Sequence, residues 1–166
     1  GQRYRIEQWQ SYLKEYGIEV DFYWFADEKL TKTIPQSGKI AAKISGIAKA
    51  FLRRLSHLTK LRKYDAILIY RAAAMVGPAF LERLINLSGR PIIYDFDDAI
   101  FLTHTSETNK LFSWAKFAGK TASICRLSDS VTVGNNWLAD YARQNNPNVT
   151  IIPSSVDTNI YQPKKK

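Results

Sequence analysis

Residues 91–102 read Pro-Ile-Ile-Tyr-Asp-Phe-Asp-Asp-Ala-Ile-Phe-Leu, and this stretch gives the clearest indication of the fold. A glycine and an arginine precede it as a turn signal, and its Ile-Ile-Tyr run is short, apolar and rich in β-branched residues. Runs of this kind are typical of parallel strands that are buried on both faces. The stretch therefore predicts a central strand of an α/β sheet.

Three carboxylates follow this strand directly, on Asp95, Asp97 and Asp98. Ligands of open α/β sheets gather beyond the carboxyl ends of the strands, so these side chains are placed for a binding or catalytic site. The alternative is a solvated acidic loop or a helix cap. We favour the functional interpretation because crowding three negative charges costs electrostatic energy that a simple loop can avoid.

The segments on either side alternate between strand-like and helix-like patterns. Strands are predicted at 18–25, 64–70, 130–133 and 149–152, in addition to the opening stretch. Helices are predicted at 3–16, 40–63, 77–87, 109–127 and from 136 onward, and a loop at 27–38. This alternation indicates an α/β fold, with a Rossmann-like parallel sheet and helices on both faces.

Composition limits the function classes. A chain of 166 residues with 45% hydrophobic residues is long enough for one globular domain. It shows no signal peptide and no apolar run near the roughly 18 residues that a membrane span needs. Cys125, the single cysteine, cannot form an internal disulfide and is expected to be packed, which fits a cytoplasmic location. The net charge of +9 points to an anionic partner: nucleic acid, a membrane surface or a phosphorylated ligand.

The segment 40–63 is a basic amphipathic helix. Its apolar residues fall on one helical face, and eight cations with no acid lie between Lys39 and Lys63. Such a helix can lie on anionic lipid, and Lys49, Arg53 and Arg54 are the predicted membrane-facing cations. An ordinary solvated face is the alternative. The residues of the apolar face are Ile40, Ile44, Ile47, Phe51, Leu55 and Leu58.

Several short motifs, in order along the chain, resemble the amino-terminal domain of a family 4 glycosyltransferase. They are Arg-Tyr-Arg at 3–5, Gly-Ile-Glu-Val at 17–20, Tyr-Asp-Ala-Ile-Leu-Ile-Tyr-Arg at 64–71, Pro-Ile-Ile-Tyr-Asp-Phe-Asp-Asp-Ala at 91–99, Val-Thr-Val-Gly-Asn at 131–135 and Ile-Ile-Pro-Ser-Ser-Val-Asp at 151–157. Members of that family have the two-domain GT-B architecture, use nucleotide-sugar donors and retain the anomeric configuration.

The resemblance implies half of an enzyme. Residues 1–153 would form the Rossmann-like amino-terminal domain and 154–166 the interdomain hinge, with the first strand and the donor-binding carboxy-terminal domain absent. The complete enzyme would move a sugar to a glycan or lipid-linked acceptor in cell-surface polysaccharide or glycolipid synthesis. It would work in the cytoplasm, at the inner face of the plasma membrane. The resemblance implies no metal and no cofactor bound by this domain, a nucleotide sugar as co-substrate of the complete enzyme, and no activity in the isolated chain.

The resemblance also assigns site residues. Asp97 stands where many members carry a histidine and Asp98 stands at the following aspartate, so these two are the expected catalytic residues. Asp95 and Asn135 are the expected substrate-binding residues, and the alternative for Asn135 is a helix cap. The hinge, which usually contains a glycine, here has the expected residues Pro153, Ser155 and Asp157.

Two other functions compete with this hypothesis. Asp95 and Asp97 could bind Mg²⁺ in a metal-dependent phosphatase or a GT-A transferase, because carboxylates suit that ion. Phosphatases of that type usually have a threonine after the acidic pair, however, and Ala99 stands here. The basic charge could also serve a nucleic-acid-binding module, although we find no motif of one and do not expect nucleic acid as the partner.

Overall fold

Four parallel strands form a sheet in the computed structural model, which describes residues 2–36, 38–102 and 119–158. Their order in the sheet is the same as their order in the chain. The strands are β1 (Ile67–Tyr70), β2 (Ile92–Phe96), β3 (Ser130–Val133) and β4 (Val149–Ile151). Helices flank this sheet, so the predicted Rossmann-like α/β fold is confirmed.

The register of the strands aligns their carboxyl ends. Tyr70 of β1 pairs with Asp95 of β2, which pairs in turn with Thr132 of β3. Paired residues in neighbouring strands project to the same face of a sheet. A tyrosine, an aspartate and a threonine therefore form one polar row near the carboxyl edge.

Seven α-helices surround the sheet within the described residues. They are α1 (Gln2–Arg5), α2 (Gln10–Glu15), α3 (Glu28–Thr33), α4 (Ile40–Leu58), α5 (Phe80–Asn86), α6 (Lys120–Leu127) and α7 (Asn136–Arg143). Helices α5, α6 and α7 each connect two adjacent strands. Because such crossovers are right-handed and all proceed in the same direction, the three helices pack on one face of the sheet.

The core lies between this face and these helices. Tyr94 and Phe96 of β2 and Val131 and Val133 of β3 are fully buried there. The rings of Tyr94 and Phe96 pack together with their centroids 5.2 Å apart. Asp95 stands between them in sequence, so its side chain points to the opposite face. This alternation places a carboxylate on the side that the crossover helices do not cover.

The predicted strand at 18–25 is wrong. Residues 18–24 form no regular secondary structure and pair with none of the four strands. Aromatic and β-branched residues favour strands only where a neighbouring strand supplies hydrogen bonds. Side chains hold the segment instead: Tyr23 and Tyr64 share a hydrogen bond of 2.6 Å between their hydroxyls, and Lys63 Nζ lies 3.2 Å from an Asp21 carboxylate oxygen.

The helix predicted at 3–16 and the loop predicted at 27–38 both differ from the structure. The helix predicted at 3–16 is interrupted at Ile6, whose φ of −133° is not helical, and a 3-10 turn at Glu7–Trp9 follows. The loop predicted at 27–38 contains α3, because the Asp27 side chain accepts a hydrogen bond of 2.8 Å from the Leu30 N–H and caps the helix. The first part of the helix predicted at 109–127 lies outside the described residues.

The longest helix, α4, ends at Leu58, five residues before the end of the helix predicted at 40–63, and the residues of its apolar face differ in burial. Ile47, Phe51 and Leu58 pack against the core. Ile40 and Ile44 are exposed instead. Within the described residues, no helix has both the length and the hydropathy required to cross a membrane.

The burial of a leucine side chain predicts how much that residue contributes to the free energy of unfolding. Leu138 on α7 is 1% exposed, whereas Leu52 on α4 is 67% exposed. We expect Leu138→Ala to lower the free energy of unfolding by about 2–5 kcal/mol, because it leaves a cavity in the core. Leu52→Ala is the matched control and should change it by less than about 0.5 kcal/mol. Urea denaturation measures both values, and equal losses would contradict the described packing.

Candidate functional site

The polar side chains at the carboxyl ends of the strands form two groups, which the backbone hydrogen bond from the Arg71 N–H to the Asp95 carbonyl joins, and we call them together the carboxyl-edge site. Two of its residues come from the end of β1 and the position directly after it, three come from β2 and the loop after it, and one comes from β3. The site consists of Tyr70, Arg71, Asp95, Asp97, Asp98 and Thr132.

Asp97 is held from the β1 side of the site. It accepts hydrogen bonds from the Tyr70 hydroxyl at 2.7 Å and from Arg71 Nη2 at 3.1 Å. Burial raises the pKa of Asp97, but these two donors outweigh it, so its pKa lies below the ordinary value. Burial and the bond to Asp97 raise the pKa of Tyr70. At neutral pH the pair is therefore an aspartate anion and a neutral phenol.

Arg71 has an unusual backbone conformation, with φ of +61°. This left-handed conformation is uncommon for a residue other than glycine and is retained where the surroundings enforce it. The Arg71 N–H donates to the Asp95 carbonyl at 2.8 Å, and the Tyr94 hydroxyl donates to the Arg71 carbonyl at 2.8 Å. Strand β2 therefore fixes Arg71 from both sides of its Cα.

The Arg71 guanidinium joins the two aspartates that follow β2. Its Nη2 contacts one carboxylate oxygen of Asp97 and one of Asp98. Burial lowers the pKa of Arg71, but Tyr70 and the two aspartates outweigh it, so the pKa is raised and the guanidinium stays charged. Asp98 differs from Asp97 in access, since its side chain is 59% exposed and that of Asp97 14%. Asp98 is therefore the carboxylate that a ligand can reach.

Asp95 forms a buried ion pair with Arg5 of α1. Arg5 Nε lies 3.1 Å from one carboxylate oxygen, Arg5 Nη2 contacts the other, and Arg5 Nη1 contacts the Ile152 carbonyl. The Thr132 hydroxyl donates to Asp95 at 2.5 Å. The hydrogen bond to Asp95 is the main cause that raises the pKa of Arg5. Asp95 thus anchors α1, and a ligand hydroxyl would have to displace Thr132 or Arg5 to reach it.

Asn135 lies at the same edge, beyond β3. Its side-chain oxygen accepts a hydrogen bond of 2.9 Å from the Leu138 N–H, and this contact caps α7. The neighbouring Gly134 passes beside Asp97, because a Cβ built on it would lie 3.7 Å from the Asp97 Cα. The loop after β3 therefore borders the acidic residues, with Asn135 exposed at its end.

The expected hinge residues lie along the amino-terminal helices. The Ser155 carbonyl accepts a hydrogen bond of 2.9 Å from the Gln8 side chain, and the Tyr12 hydroxyl lies 3.4 Å from an Asp157 carboxylate oxygen. Pro153 is exposed. The chain that follows β4 is therefore held beside α1 and α2, close to the carboxyl edge.

The three expected membrane-facing cations have different surroundings. Lys49 is exposed. Arg53 Nη2 donates to the Phe25 carbonyl at 2.5 Å. Burial, followed by the neighbouring Arg53, lowers the pKa of Arg54, and its buried Nε has no hydrogen-bond partner. Of the three, Lys49 has the most open side chain.

The sequence did not reveal the roles of four residues of this region, namely Arg5, Tyr70, Arg71 and Thr132. Tyr70, Arg71 and Thr132 could have been found, because they lie in the last residues of a predicted strand or directly after it, and the carboxyl ends of these strands meet that of β2. Arg5 could not, because 90 residues separate it from Asp95. Cys125 is packed as expected, and burial raises the pKa of its thiol to about 12.

In the part of the chain that the structure describes, no three side chains of histidine, cysteine, aspartate or glutamate are grouped so that they could hold a metal ion.

No protein-family model, no curated protein and no solved structure matches this chain. The glycosyltransferase resemblance therefore stays a prediction.

The Arg5–Asp95 pair predicts a large loss of stability when one partner is removed. Both side chains are buried, at 2% and 6% exposure. Asp95→Asn should lower the free energy of unfolding by about 3–5 kcal/mol, because it leaves a buried guanidinium without its counter-charge. Urea denaturation at neutral pH measures the loss.

The exposed pair of Asp140 and Arg143 supplies the control for this measurement. Asp140→Asn should cost less than about 1 kcal/mol, as exposed ion pairs do. A double variant, Arg5→Met with Asp95→Leu, should lose less stability than the two single changes together. Additive losses would show that the two side chains do not interact.

Proposed function

We propose that this chain is the acceptor-side domain of a glycosyltransferase and that its carboxyl-edge site binds a hydroxyl group of the acceptor. The observation that carries the proposal is the exposed Asp98 carboxylate beside the charged Arg71 guanidinium at the carboxyl ends of parallel strands. Open α/β sheets bind their ligands at this edge. The motif order quoted above supports the choice of a sugar-transfer enzyme.

The chemistry of the site suits a sugar hydroxyl. A hydroxyl group donates one hydrogen bond and accepts others. Asp98 offers an exposed acceptor, and the Arg71 guanidinium, whose side chain is 38% exposed, offers donors next to it. A carboxylate in hydrogen-bond reach of an attacking hydroxyl can orient it and accept part of its proton. We assign this role to Asp98.

Asp97 has a different role in this proposal. Tyr70 and Arg71 occupy the same oxygen of Asp97, and its side chain is mostly buried. The lowered pKa keeps it ionised at neutral pH, so it holds the guanidinium at a fixed position beside Asp98. Asp97 is therefore a positioning residue in the place where the resembling family often has histidine.

The path of the chain after β4 supports a two-domain enzyme. Strand β4 ends at Ile151, and the Ile152 carbonyl contacts Arg5 at the carboxyl edge. A donor-binding domain joined through residues 153–157 would begin beside the carboxyl-edge site. It would bring the nucleotide sugar toward Asp98 across the cleft between the domains.

The metal-dependent alternative has less support from the site. A metal ion between Asp97 and Asp98 would have to replace the Arg71 guanidinium, which already contacts both carboxylates. Both oxygens of Asp95 contact Arg5, so they offer no open pair to a cation. Each carboxylate of this site already contacts one of two guanidinium groups, which favours a hydroxyl ligand over Mg²⁺.

A transfer assay tests the proposal. The complete reading frame that contains this chain is expressed and supplied with a panel of radiolabelled nucleotide sugars and a membrane extract as acceptor. Asp98→Asn should lower kcat/KM by about 10²- to 10⁴-fold, because the acceptor hydroxyl loses its carboxylate partner. The 166-residue chain by itself should transfer no sugar.

Asp65→Asn is the matched control, since it removes the same charge from an exposed side chain just before β1, at the opposite edge of the sheet. Its kcat/KM should stay at the wild-type value. Full activity of Asp98→Asn would refute the assigned role. Turnover by the 166-residue chain would refute the half-enzyme interpretation, and activity that requires added Mg²⁺ and is lost in Asp97→Asn would favour the metal-dependent alternative.

A further inference from the structure

Helix α4 exposes a row of large apolar side chains, which we call the outer stripe. Its members are 40–67% exposed. The outer stripe consists of Ile40, Ile44, Leu52 and Leu55. Single exposed apolar residues are ordinary on protein surfaces, but four on one helix form a continuous patch that marks an interaction surface.

The spacing of the outer stripe makes it continuous. With Ala48 included, its residues follow one another at intervals of four, four, four and three, which places them on one side of a helix. The inner side of α4 is already used, because Ala50 is buried and Ile47 and Phe51 pack against the core. The outer stripe is therefore an exposed apolar margin beside these packed residues, and the described core does not cover it.

The charge around the outer stripe indicates its partner. The segment from Lys39 to Lys63 contains no acidic residue, and Lys39, Lys49 and Lys60 are exposed. Apolar side chains bordered by lysines match a bilayer surface, where acyl chains lie beneath anionic headgroups. A second copy of this chain fits less well, because a symmetric contact would bring the same lysines together.

We propose that the outer stripe inserts into the headgroup region of an anionic lipid surface, with the flanking lysines facing the lipid phosphates. Helix α4 then lies flat on the bilayer. The apolar contact comes from side chains that are already exposed, so binding does not require the domain to open. Of the cations expected to face lipid, Lys49 retains that role, while Arg53 is directed to Phe25 and Arg54 is partly buried.

Sedimentation with lipid vesicles tests this inference and has no catalytic readout, so its result is independent of the proposed function. The 166-residue chain should sediment with vesicles of phosphatidylcholine and phosphatidylglycerol. The double variant Ile44→Ser with Leu52→Ser should partition at least about tenfold more weakly, since two inserted apolar side chains are lost. Both positions are exposed, so its urea denaturation should match that of the wild type.

The matched control is Tyr16→Ser with Ile18→Ser, which removes two exposed apolar side chains, 82% and 50% exposed, from a different segment. Its partitioning should equal that of the wild type. Neutralising Lys39, Lys49 and Lys60 with glutamine should weaken binding on the order of a hundredfold. Failure of the wild type to sediment, or equal partitioning of the Ile44→Ser with Leu52→Ser variant, would overturn the inference. A concentration-dependent dimer that this variant abolishes would assign the stripe to a second copy instead.

Discussion

The buried ion pair between Arg5 and Asp95 is the contact on which the carboxyl edge depends. It joins α1 to the centre of the sheet across 90 residues of sequence, and the same guanidinium contacts the Ile152 carbonyl after β4. A charge at this depth is costly unless it is paired, so neither side chain can leave without a large penalty. The amino-terminal helix, β2 and the end of β4 are thereby tied at one point.

The Arg5–Asp95 pair also determines which carboxylates Arg71 contacts. Because Arg5 neutralises Asp95, the second guanidinium, Arg71, is left to hold Asp97 and Asp98. The left-handed backbone of Arg71 is fixed by hydrogen bonds to Asp95 and Tyr94. The result is a graded set of carboxylates: one buried and paired, one mostly buried, and one exposed. A graded arrangement of this kind presents one accessible oxygen acceptor without leaving a buried charge unpaired.

Local patterns predicted the sheet well. The apolar runs at β1, β2, β3 and β4 were recognised because each is short and bounded by turn residues, and the acidic residues after β2 were placed at the correct edge. The incorrect or missing predictions concern contacts with other segments of the chain, which a local sequence pattern does not show. Residues 18–24 look like a strand but have no neighbouring strand to pair with, and helical periodicity groups Ile44 with Phe51 without showing which of them faces the core. Arg5, the partner of Asp95, could not be predicted for the same reason.

The most direct test of the account is to locate where a sugar contacts the domain. Amide signals of the isotope-labelled chain would be followed by nuclear magnetic resonance during titration with a panel of methyl pyranosides. If the carboxyl-edge site binds sugar hydroxyls, we expect saturable shifts at Arg71, Asp98 and Gly134, around the exposed carboxylate, and their loss in Asp98→Asn. Shifts confined to the opposite edge, around Asp65, or shifts that Asp98→Asn leaves unchanged would contradict it.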